Sequence, residues 1–194
     1  MALAPLATVA DLEARGVTIE LDELTAVTAY LDVASTLVRQ AAGSPVSETT
    51  STVVLEGGPS PWLCLPGLPV RSVSAVTVDG LADSRWTLVP SGALYRSCGW
   101  FSVADLTLVE VTYVHGLPEV PADIVDMVCR MVGQELLSFR SGEGVSRVLK
   151  TERIGDYSAG YDTDLETGTL ALTRFQRDRL AARFGGGVGS VRAR

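Results

Sequence analysis

The chain has 194 residues, 46% of them hydrophobic and 20% charged, with a formal net charge of −7. That composition suits one domain, or one core carrying an insertion, and excludes a disordered tail. Apolar residues never run for the roughly 18 positions that a bilayer span requires. The start, MALAPLATVADLEARG, lacks the basic n-region of a signal peptide, so the expected setting is inside a cell, at least until assembly.

Charge is unevenly spread. Residues 1–144 hold 7 basic and 17 acidic side chains, a net of −10, whereas residues 145–194 hold 9 basic and 6 acidic, a net of +3. Such polarity suits a molecule whose two ends meet different partners, or copies of itself. Cys64, Cys98 and Cys129 are far apart and form no CxxC pair, which points to buried free thiols.

Residues 8–16 predict a short helix capped by Thr8 and stopped by Gly16. A longer helix follows over about 19–42, where Leu24, Val27, Leu31, Ala34, Val38 and Ala41 step by 3 and 4 along one apolar stripe. From 46 to 116 the texture changes to short Thr-, Val- and aromatic-rich runs: STVVLE, PWLCLP, VRSVSAVTVDG, SRWTLV, ALYR and TLVEVTYVHG. All read as strands, and Asp79-Gly80 makes a hairpin turn. Trp62, Trp86 and Trp100 supply this block with an aromatic filling of its own.

Helix returns after Pro121, which is placed for the first helical position. Val125, Val128, Val132, Leu136 and Phe139 give the core face of a helix running to about 139. Residues 140–168 predict a loop containing an extended stretch, VLKTERIGDYSAGY. The last helix, about 169–184, has Thr169 as its expected cap and ends at Gly185-Gly186-Gly187. The tail from 185 to 194 is expected to be mobile until bound. The expected fold class is α+β. A helical bundle core is built from both chain ends (7–43 and 117–184), with an inserted β-rich block (46–116), all in a single domain.

No catalytic constellation emerges. His115 is the only histidine, and no GxSxG or Gly-Lys-Ser/Thr motif is present. The glycines at 185–189 follow a helix, where a dinucleotide loop must open one. The acidic run from Asp162 to Gly168 fails the calcium-loop pattern, because Thr167 and Thr173 stand where glycine and glutamate are needed. Asp123 and Asp126 suit the positive end of their helix better than an acid/base pair. The expectation is therefore no catalytic, cofactor or metal site. The basic cluster Arg174, Arg177, Arg179 and Arg183 wraps its helix and forms no single stripe, which favours docking on an acidic partner over sequence-specific DNA reading.

Four stretches taken in order resemble the head–tail connector (adaptor) proteins of long-tailed phages, especially those of actinobacteria. They are LATVADLEARG with its long helix, LPGLPVRSVSAVTVDG, VEVTYVHGLPEVPADIVDMVCRMV, and TERIGDYSAGY ahead of the final helix. Together they cover about residues 6–184. The resemblance implies a ring, a dodecamer in the family, seated beneath the portal protein in the neck of the virion. The ring would meet a downstream neck or tail protein, and genomic DNA would pass through its channel. It also implies that the C-terminal part reaches the portal, which makes Arg174, Arg177, Arg179, Arg183, Arg192 and Arg194 the portal-interface candidates. The β block is large for the helical version of that family. Another neck component (a stopper or tail-completion protein), a small hydrolase relying on His115, and a glycan-binding module using the tryptophans remain alternatives.

Overall fold

The computed structural model describes residues 3–101, 106–141, 151–154, 157–160 and 170–185. By backbone proximity the chain divides into two compact units, residues 1–41 with 120–180, and residues 42–119 with 181–194.

In the first unit, α1 (Val9–Glu13) is capped as its sequence dictates. Thr8 Oγ1 accepts from the Asp11 amide at 3.2 Å, while the Asp11 carboxylate accepts from the Thr8 amide at 2.8 Å, a reciprocal capping box. α2 (Leu24–Ala42) begins some five residues later than the expected 19, at the first residue of its apolar periodicity. The Glu23 carboxylate takes the Glu20 amide at 3.0 Å and closes a turn that delays the helix. Val27, Leu31, Ala34 and Val38 are fully buried, but Leu24 stands 37% exposed at the helix start. α3 (Ala122–Arg140) starts one residue after Pro121, whose ψ of 142° keeps it extended, so the proline caps the helix from outside its first turn. Its core face is Ile124, Val128, Cys129, Met131, Val132 and Leu136, whereas Phe139, expected inside, is 49% exposed. An antiparallel pair, β8 (Thr151–Ile154) and β9 (Tyr157–Gly160), lies within the expected extended stretch. α4 (Arg174–Phe184) begins in this unit.

The described residues of the second unit form a block of seven strands. β1 (Thr49–Glu56), β7 (Leu108–His115), β3 (Val70–Val78) and β4 (Leu81–Ala82) form a four-stranded antiparallel sheet in that spatial order. β2 (Trp62–Cys64), β6 (Ala93–Tyr95) and β5 (Thr87–Leu88) form a three-stranded one. β1 alternates strictly between half-buried and exposed, the period-2 pattern of a strand with one face on a core. Asp79 and Gly80 both have positive φ, 50° and 79°, and join β3 to β4 by the tight turn their sequence announces. One buried cluster joins the two sheets: Leu63 and Leu94 from the smaller, Val76, Val78, Val109, Val111 and Tyr113 from the larger, with Leu65 and Trp100. Each such side chain contributes about 1.5–3 kcal/mol by leaving water. Where the chain enters and leaves the block, the Leu117 amide donates to Val46 O and the Glu48 amide to Leu117 O, both at 2.8 Å.

The helical bundle core expected from both chain ends is therefore corrected. Among the described residues the protein is a mixed α+β structure with four helices and a substantial antiparallel sheet block, and a helical bundle core is not evident. The reason is physical. Stripes on α2 and α3 require burial but do not specify another helix as the cover. The alternating strands meanwhile close a core between their own two sheets, so they do not decorate a bundle.

Candidate interaction surface

α4 carries four of the six arginines assigned to a partner. Thr173, not Thr169, caps it. Thr173 Oγ1 accepts from the Gln176 amide at 3.2 Å, and Gln176 Oε1 accepts from the Thr173 amide at 2.9 Å. The signal was present in the sequence as Thr-Arg-Phe-Gln, a Thr-x-x-Gln box. Thr169 itself lies outside the described residues, as do Arg192, Arg194, the tail from 186 onward and the acidic run at 162–168.

Leu172, Leu180 and Phe184 are buried and fasten the helix, while Arg174, Arg177, Arg179 and Arg183 are all exposed. Phe175 is 70% exposed, with the Arg179 guanidinium 5.9 Å from its ring centre. Arg174 opens the helix at the positive end of its dipole, where a cation is mildly unfavourable, so helix stability does not explain it. An exposed phenylalanine among guanidiniums has the composition of a protein interface: an aromatic anchor with charge around it. Sequence reasoning found the arginines and overlooked Phe175, because an aromatic in a helix reads as core by default.

The single histidine proves to be buried. Its Nδ1 lies 2.7 Å from Gly67 O, so Nδ1 carries the proton and donates it, and Nε2 lies 2.9 Å from Ser51 Oγ. Tyr113 packs on the ring at 4.7 Å. A serine beside an imidazole anchored to a carbonyl is the start of a nucleophilic arrangement. Here, however, His115 is 6% exposed and Ser51 sits mid-strand in β1, and neither lines the clefts described below. The chemistry this geometry supports is the joining of β1, β7 and the 67 loop.

Two clefts are more open. In the second unit, a cleft of about 550 Å³ is walled by Val78, Leu81 and Phe101 and by the charged residues Asp83, Arg85 and Arg96. Asp83 accepts from Arg96 Nη2 at 2.6 Å and from Arg85 Nη2 at 2.9 Å, and its carboxyl is held down to about 2 by hydrogen bonds from Arg85 and the charge of both guanidiniums. In the first unit, a groove of about 610 Å³ runs along α3, lined by Arg15, Asp126, Arg130, Gly133, Leu137 and Arg140 among others. Asp126 accepts from Arg130 Nε at 2.7 Å and from Arg15 Nε at 3.3 Å. Its carboxylate therefore serves an ion pair in place of the helix-dipole role expected of it, and its pKa is lowered by the Arg130 hydrogen bond. The distant pairings, Asp83 with Arg96 and Asp126 with Arg15, were not legible in sequence, since they join residues 13 and 111 positions apart.

Cys129 is buried, and burial pushes its thiol pKa up, but Cys64 and Cys98 are exposed, contrary to the expected burial. Of the tryptophans, Trp100 is core and Trp86 half-buried, but Trp62 is 52% exposed and pairs with Tyr95 at 4.8 Å.

No protein-family model matches the chain, and no curated protein matches it in sequence. Among the described residues, no group of three or more His, Cys, Asp or Glu side chains is placed to hold a metal ion. No helix among them is long and apolar enough to cross a membrane.

Proposed function

We propose that this protein is a ring-forming adaptor of a phage neck, joining portal to tail without catalysing a reaction. The observation that carries the proposal is α4, whose exposed Phe175 stands among the exposed Arg174, Arg177 and Arg179 on a chain that is otherwise acidic. Such a helix fits an acidic partner with a pocket for one aromatic ring. The ordered resemblance along residues 6–184 names that partner as the portal and the assembly as a ring, a dodecamer in the family. Genomic DNA would pass through its channel, and a further neck or tail protein would dock below. Many copies per ring convert modest contacts into durable attachment. The protein would be made in the host cytoplasm and kept in the virion neck. Arg192 and Arg194 are portal-interface candidates by the resemblance alone.

The test is retention of the chain on purified portal rings. Arg174→Glu, Arg177→Glu and Arg179→Glu together are expected to abolish retention while leaving the fold intact by circular dichroism. Retention equal to wild type would remove the portal assignment. Imaging of assembled necks then reports whether this polypeptide occupies the collar.

A second reading rests on the exposed Trp62–Tyr95 pair, an aromatic surface of the kind that stacks on sugars. Quenching of tryptophan fluorescence by soluble glycans, absent in Trp62→Ala, would favour a glycan-binding module over the adaptor.

A further inference from the structure

The groove along α3 has the form of a helix seat. Asp126, Arg130, Gly133, Leu137 and Arg140 step by 4, 3, 4 and 3, which places them on one face of α3, and all of them line the groove. Gly133 lies at the centre, where a Cβ would meet no atom within 4 Å, so the backbone there can be approached closely. Leu137 is 66% exposed beside it. Among the groove's guanidiniums, Arg140 is engaged by Glu23, whereas Arg15 and Arg130 share the single carboxylate of Asp126, so that end is cationic on a chain whose net charge is −7.

α2 presents the complementary stripe. Thr25, Ala29 and Asp32 step by 4 and 3, and all three are exposed. Val33, one turn beyond Ala29, is 47% exposed, so the stripe carries apolar area as well. Thr25 and Asp32 are seven residues apart, as are Arg130 and Leu137, a rise of roughly 10 Å along a helix in each case. An antiparallel alignment sets Asp32 against Arg130, Ala29 against Gly133, and Thr25 against Leu137. Small meets small at the crossing, and opposite charges meet at the Arg130 end.

We propose that the α3 groove receives α2 of a second copy of this chain. The two surfaces differ, so each docking leaves one free groove and one free helix, and the contact propagates until it closes. The inference deepens the ring reading and rests on it. It names the residues through which neighbouring copies hold one another, a surface separate from the α4 face.

The experiment measures sedimentation of the full chain across concentration up to the millimolar range, with circular dichroism confirming the fold of each variant. Asp32→Arg and Arg130→Asp are each expected to weaken self-association by roughly tenfold or more, because each sets like charges face to face. The double variant Asp32→Arg/Arg130→Asp is expected to regain it. Ala29→Trp, which fills the crossing without changing charge, is expected to weaken it also. If each single variant assembles like wild type, the groove is not the seat, while the ring reading stands. If wild type stops at a two-fold dimer that these changes disrupt, the groove is the seat and the ring reading falls. A wild-type chain that sediments at 20.5 kDa throughout overturns the self-docking proposal.

Discussion

Arg96 Nη2 donates to Asp83 Oδ2 at 2.6 Å, joining two side chains thirteen residues apart that are both buried. Arg96 Nη1 also donates to Gly99 O at 2.7 Å, and its guanidinium lies 5.7 Å from the Trp100 ring centre. Arg96 Nε is buried with no hydrogen-bond partner. A guanidinium so enclosed depends on its one carboxylate. Asp83→Asn keeps the shape and removes the charge, and is expected to cost about 3–5 kcal/mol, the penalty for leaving a buried ion without its partner. Denaturant midpoints measure this, and a loss under about 1 kcal/mol would mean that water already solvates the pair. Replacing both residues with apolar ones of similar volume is expected to cost much less than the single change.

Two carboxylates set the acid limit. Asp83 is held at about 2 against an ordinary 3.8 by the hydrogen bonds and charge of Arg85 and by the charge of Arg96. Glu23 is held at about 2 against 4.5, first by the Arg140 hydrogen bond and then by the Glu20 amide. Both folded values are depressed, so the folded state prefers the ionised form more than the unfolded chain does. The stabilisation is complete above the unfolded values and is lost as pH falls from about 4.5 toward about 2. Unfolding temperature recorded against pH should fall through that window, and Glu23→Gln should flatten its upper part. An unchanged profile in Glu23→Gln would show that Arg140 gives that carboxylate no preference in the folded state.

His115 is expected to matter for stability alone. His115→Phe retains the ring but deprives the Gly67 carbonyl of a donor and the Ser51 hydroxyl of its acceptor, a loss of about 1–3 kcal/mol. Gly67→Ala should be at least as damaging. Its φ is +74°, and the added Cβ would fall 2.6 Å from His115 Nδ1. Thermal unfolding of both variants checks the pair, and a His115→Phe protein as stable as wild type would show the two hydrogen bonds to be dispensable.

The α4 cap is testable by itself. Thr173→Ala removes the acceptor of the Gln176 amide and is expected to cost about 1 kcal/mol. Faster hydrogen exchange at the first-turn amides of α4, with β7 amides unchanged, is the expected signature. Equal protection in the variant would mean that Leu172 and Leu180, not the cap, hold the first turn.

Local signals in this chain were legible wherever the cause is local. Thr8 with Asp11, the Asp79-Gly80 turn, the buried stripe of α2 from Val27 to Val38 and the run of β7 each follow from a pattern within twelve residues, and the described structure has each of them. The cap of α4 was legible too, as Thr173 and Gln176, and was misplaced only because Thr169 is an equally good residue type. What periodicity could not decide is which surface covers a stripe. Burial is a demand made by one face, and its answer comes from elements distant in sequence. So the expected bundle gave way to a core closed between two sheets, Phe139 and Trp62 lie open, and His115 lies buried. The pairs Asp83–Arg96, Glu23–Arg140 and Ser51–His115 are separated by 13, 117 and 64 positions. Only chain folding in three dimensions brings such groups within hydrogen-bonding range, and their charges and tautomers are set there.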